Sequence, residues 1–175
     1  MWISAVVAVA LFTSVSSAGE AVSVGKVKSI NADKKEFVLA DSNNKDWTIA
    51  LGGNVVINRD GKESKNDLEV GDVISVCYDK GTFTWTARYI LVQAGLNKDC
   101  ELVSGAIKGY DVDKKQLAFT DEQGKDWDFA MGDAKLQVNN EKSKVEDVKI
   151  GDHAVAIVAK NGDKMALKAI MVTRK

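Results

Sequence analysis

At 175 residues the chain is long enough for one ordinary domain or two small ones. Apolar content of 45% and charged content of 28% exclude a disordered chain. With 24 basic and 25 acidic side chains and a net charge of −1, it has no long-range pull toward nucleic acid or an anionic membrane. Proline is absent, so the 14 glycines, with Asn and Asp, make the turns.

Residues 1–18 carry no charged side chain, are almost wholly apolar from Trp2 to Val15, and end in Ser16-Ser17-Ala18. That is the pattern of a secretory signal peptide cleaved before Gly19, although no Lys or Arg precedes the apolar run. The run is shorter than the roughly 20 residues that span a bilayer, so no stable membrane span is expected after cleavage. The expected location is secreted or periplasmic.

A shift of 80 residues superposes residues 25–92 on 105–172 without a gap, with 18 of 68 positions identical. Matches include Gly25/Gly105, Lys45-Asp46-Trp47/Lys125-Asp126-Trp127, Gly71-Asp72/Gly151-Asp152 and Ile90/Ile170. A duplication of this kind makes each copy a complete small fold or half of one. The boundaries read as a signal peptide at 1–18, a first repeat at 19–92, a linker at 93–104 and a second repeat at 105–175.

Within a copy the apolar residues recur every second position, as in Phe37-Val38-Leu39 and Trp47-Thr48-Ile49-Ala50-Leu51, which predicts half-buried strands. Turn residues separate them at Asp33-Lys34-Lys35, Asn43-Asn44-Lys45 and Arg59-Asp60-Gly61-Lys62. About six strands in so short a unit would leave edges and one face open unless the sheet closes. The fold class is therefore all-β, two tandem six-stranded small β-barrels related by the 80-residue repeat. The expected core of the first is Val27, Phe37, Leu39, Trp47, Ile49, Leu51, Val56, Leu68 and Val70, with the same positions plus 80 in the second. In the second copy, Ala154-Val155-Ala156-Ile157-Val158-Ala159 is apolar on both strand faces, which offers a docking surface.

The order Gly25-Lys26-Val27, Phe37-Val38-Leu39, Asp67-Leu68-Glu69-Val70-Gly71-Asp72 and Ala87-Arg88-Tyr89-Ile90 resembles the small OB-like β-barrel repeat modules of secreted bacterial proteins. The resemblance implies an OB-like barrel and brings no function with it.

No catalytic, cofactor or metal set is expected. His153 is the only histidine and lies at the foot of a strand, and two cysteines 23 positions apart do not make a chelating cluster with it. Trp47 and Trp127 share parity with core residues, so a structural role is preferred over stacking on a ligand. Cys77 and Cys100 are candidates for a disulfide; the alternative is a buried Cys77 and a free or intermolecular Cys100. One asymmetry remains: Phe83, Trp85 and Tyr89 stand where the second copy has Asp163, Met165 and Ala169. With Arg88 they form the candidate contact surface if they point outward, although the parity of Ala87 against Ile90 predicts a β-bulge between them. The equal alternative is that they cement the two copies together. The expected function is a non-enzymatic binding module of the envelope or extracellular space, its partner a protein or a glycan. An oligosaccharide- or single-strand-binding OB-like barrel is the alternative, with nucleic acid disfavoured by charge.

Overall fold

The computed structural model describes residues 19–139, 141–161 and 164–174; the apolar leader at 1–18 lies outside the described residues. The first module comprises β1 (Glu20–Asn31), β2 (Glu36–Asp41), β3 (Asp46–Arg59), β4 (Lys62–Ser64), β5 (Val73–Lys80) and β6 (Trp85–Val92). Its ring runs β1-β2-β3-β6-β5 and back to β1, with β3 and β6 parallel and every other pair antiparallel. That is the five-stranded Greek-key barrel of the OB fold. The sixth strand, β4, pairs only with β3 and hangs outside the ring.

The second module repeats the plan with β7 (Cys100–Asp111), β8 (Gln116–Asp121), β9 (Asp126–Ala130), β10 (Lys135–Val138), β11 (Glu141–Lys142), β12 (His153–Asn161) and β13 (Lys164–Thr173). Here β9 and β10 divide the role of β3, and both run parallel to β13. The repeat also begins earlier than its sequence identities suggest. Residues 100–104, read as linker, are the first half of β7 and correspond to the start of β1.

Alternation explains the two barrel cores. Val27, Phe37, Leu39, Ile49, Ile57 and Ile74 point inward in the first, and Ile107, Leu117, Phe119, Phe129, Leu136 and Ile170 in the second. Two pairs of glycines make the repeated geometry passable. A Cβ on Gly25 would meet the Ala40 carbonyl oxygen at 2.3 Å, and one on Gly105 would meet that of Thr120 at 2.1 Å. Gly71 (φ 100°) and Gly151 (φ 87°) take a left-handed turn that lets the backbone bond Val27 and Ile107 from both sides.

That turn also corrects part of the expected core. Val70 and Ile150 are 63% and 79% exposed, because the residue before Gly-Asp sits on the turn and not in the strand. Val56 faces away from the barrel, and Val55 and Ile57 take the inward places. The cause is a one-residue slip between copies. Ile57 pairs with Ile90 while Leu136 pairs with Ile170, an offset of 79, and the left-handed turn residues Asp60 and Asn139 keep that spacing. The 80-residue relation returns at Gly71/Gly151.

The outward faces of β1, β5, β6, β7 and β12 supply a third apolar cluster shared by both modules. Cys77, Tyr89 and Leu91 meet Cys100, Leu102, Val155 and Ile157 there, flanked by Val22, Val56 and Met171. Ala154, Ala156 and Val158 fill the second barrel, so β12 is buried on both faces. This seam carries the side chains of greatest chemical interest.

Candidate functional site at the seam between the modules

Each outward strand face ends in a polar residue at one end of the seam. Glu20 follows the parity of Val22, Ser104 that of Cys100 and Leu102, and His153 that of Val155 and Ile157. Glu122, in the β8–β9 turn, is brought alongside by its backbone N–H, which donates to the Ser104 carbonyl. The result is a cluster that no sequence spacing announces. His153 Nε2 lies 2.8 Å from Glu20 Oε2 and 2.9 Å from Glu122 Oε1, and the Ser104 hydroxyl donates to Glu20 Oε2 at 2.8 Å.

Glu20 is 5% exposed, His153 30% and Glu122 37%. Burial pushes the Glu20 carboxyl upward, but the His153 bond and charge with the Ser104 hydroxyl outweigh it and leave the pKa below its ordinary value. His153 moves the other way: the bond to Glu20 raises it against the cost of burial, and Glu122 adds to the rise. Arg88 approaches Glu20 at 3.7 Å and Asp79 at 3.6 Å. In the series Ser104–Glu20–His153 the carboxylate stands between hydroxyl and imidazole. The imidazole therefore faces two carboxylates and not the hydroxyl it would have to deprotonate in acyl-transfer chemistry.

Beside the cluster a groove of about 430 Å³ runs along the seam, lined by Glu20, Asn54, Arg88, Gln137, Asn139 and Thr173. A second hollow of about 450 Å³, lined by Asn58, Glu63, Lys135 and Lys168, meets it at Gln137 and Met171.

The structure disperses the four aromatic-patch residues. The expected bulge is present at Arg88, between the pairs Tyr78–Ala87 and Cys77–Tyr89. It turns Trp85 inward, where it stacks on Trp47 (4.6 Å) and Tyr78 (5.1 Å) against the first barrel's core. Tyr89 enters the seam, its hydroxyl accepting from Asn58 Nδ2 at 2.9 Å and donating to Glu63 at 3.3 Å. Arg88 joins the Glu20 cluster, and only Phe83 is open to solvent, at 97%. Cys77 and Cys100 are both free thiols buried in the seam. Burial, and then the Glu20 charge, raise the Cys77 pKa and keep the thiol protonated.

The repeated Lys-Asp-Trp triplet has local work in both modules. Trp47 and Trp127 are half-buried, and their indole N–H groups donate to Asp41 and Asp121 at 3.0 and 2.8 Å. Lys45 and Lys125 lie over the rings at 3.8 and 3.6 Å.

No family model and no curated protein matches the chain. Among solved structures it is similar to Ag(I)CusF, at 11% identity over 42% of this chain and 97% of that one, with a TM-score of 0.35. CusF–Ag(I) from Escherichia coli gives 12% identity over 42% and 91%, with a TM-score of 0.34. Drosophila Unr CSD456 gives 12% identity over 87% of this chain and 61% of that one, with a TM-score of 0.31. Likenesses at this level carry no ligand or partner over to this chain, whose OB-like character rests on its own strand order.

Proposed function

We propose that the chain is an exported, non-enzymatic binding protein that takes its ligand in the groove along the seam of two OB-like modules. The observation that carries this reading is the lining of that groove. Asn54, Gln137 and Asn139 offer amide donors and acceptors together, beside one Arg88–Glu20 pair and the apolar floor of Met171. The volume suits a small ligand or a short stretch of a polymer. Neutral amides match the hydroxyl groups of a glycan better than the phosphates of nucleic acid, which need a basic track. Export is supported by the apolar leader and its Ser-Ser-Ala end.

Titration calorimetry against soluble envelope-glycan fragments, with single-stranded DNA as the contrast, tests the ligand. Saturable heat with the glycan that is lost in Gln137→Ala/Asn54→Ala supports the groove. Binding of DNA alone, or glycan binding indifferent to both substitutions, contradicts it. For export, the protein recovered from envelope or medium fractions should begin at Gly19, and an intact Met1 there would refute cleavage.

A further inference from the structure

The seam cluster holds more acceptors than donors. The Glu20 and Glu122 carboxylates both face the single nitrogen Nε2 of His153, which carries at most one proton. Glu20 has the Ser104 hydroxyl as a further donor, and Arg88 stands off at 3.7 Å, shared with Asp79. Glu20 and Asp79 share the Arg88 guanidinium, and Glu20 and Glu122 share the His153 imidazole, so three carboxylates converge on two nitrogen-bearing groups. A divalent cation would supply positive charge to both glutamates.

The geometry fits as well. The ligand atoms of Glu20, Glu122 and His153 all lie within 4.8 Å of one another, and both N···O separations are below 3 Å. Ligands about 2.0 Å from a tetrahedral Zn²⁺ sit roughly 3.3 Å apart, so small side-chain shifts would admit the ion. Three protein ligands leave the fourth tetrahedral position of Zn²⁺ to a water. Imidazole and carboxylate donors suit Zn²⁺ and its divalent first-row neighbours, whereas monovalent soft ions want thiolate or thioether sulfur.

From this we infer that Glu20, Glu122 and His153 form a site for one divalent first-row cation, Zn²⁺ above all. Because Glu20 belongs to the first module and the other two ligands to the second, the ion pins the modules together at the polar end of the seam. Glu20 also lines the groove, but the test of the cation site uses no groove ligand.

Chelator-treated full chain is titrated with ZnCl₂ and, separately, MgCl₂, followed by calorimetry and by thermal melting. One Zn²⁺ per chain and a raised Tm are expected, with Mg²⁺ far weaker. His153→Gln and Glu122→Gln should each weaken Zn²⁺ by at least about tenfold. Glu122 sits on an exposed turn, so its variant leaves the seam folded. The Co²⁺-loaded protein should show visible absorption that disappears in His153→Gln. No saturable Zn²⁺ heat, or Zn²⁺ affinity unchanged in both variants, would show that the cluster is an ion-pair latch only. Mg²⁺ binding as tight as Zn²⁺ would overturn imidazole ligation.

Discussion

The Asp41 carboxylate accepts three N–H groups, from the Trp47 indole at 3.0 Å and from the Asn43 and Lys45 backbone at 2.8 and 2.9 Å. Asp121 repeats this with Trp127, Gln123 and Lys125. One carboxylate thus fixes both the hairpin and the tryptophan, which gives Lys-Asp-Trp a structural reason to recur. The indole bond first, then the Lys45 N–H, hold the Asp41 pKa below its ordinary 3.8, while Asn43 adds a smaller pull. A depressed folded-state value means that this contribution is fully present above that ordinary value and is lost as pH falls through the folded one. Acid unfolding followed by tryptophan fluorescence should therefore begin at a higher pH in Asp41→Ala than in the wild type at equal ionic strength, because the variant lacks a stabilising group at every pH above the folded pKa. Coincident acid transitions would show that the carboxylate contributes nothing. Gly25 is constrained by space alone: Gly25→Ala drives a methyl into the Ala40 carbonyl and should cost about 1–3 kcal/mol in urea unfolding. An unchanged midpoint would mean that β1 and β2 cross less tightly than described.

At the scale of elements, the two Val/Ile-Gly-Asp turns share a clamp built from different parts of the chain. Arg59, on β3, donates to Asp72 at 2.6 Å and lies 3.1 Å from Asp67. In the second module Arg174, beyond β13, reaches Asp152 and the Asp147 carbonyl. Arg59→Ala leaves Asp72 largely buried with only the Glu69 N–H, and should cost about 1–3 kcal/mol by denaturant unfolding. A neutral result would reduce the clamp to a surface ion pair.

These elements also show what was legible. The bulge at Arg88 could be read because Ala87 and Ile90, both inward, differ in parity. The slip to an offset of 79 could not, because Asp60-Gly61 and Asn139-Asn140 are equally good turn pairs and a gapless alignment leaves the mismatch unmarked. It moved Val56 from the core to the seam. The His153 cluster was out of reach for another reason. Its residues stand at positions 20, 122 and 153, one per element, and only the packing of the modules brings them together. Parity alone would have put His153 on the same face as Val155 and Ile157.

For the whole molecule, the seam matters because each barrel is small and buries a modest share of its own surface. Leu91 and Ile157 are buried in the cluster that both modules share, and Cys77 and Cys100 sit there as free thiols. Under non-reducing conditions the denatured protein should take up two equivalents of a thiol reagent, while the native protein reacts far more slowly. A mass lower by two hydrogens, with no uptake, would mean that the cysteines pair. Both the groove and the cation site depend on the modules holding one fixed arrangement. Backbone ¹⁵N relaxation tests that directly by giving a rotational correlation time for each module. One shared value, that of a single body of 18.9 kDa or slightly less after leader removal, is the result predicted. Two shorter and different values would show barrels tumbling independently, and would contradict the seam as the site of function.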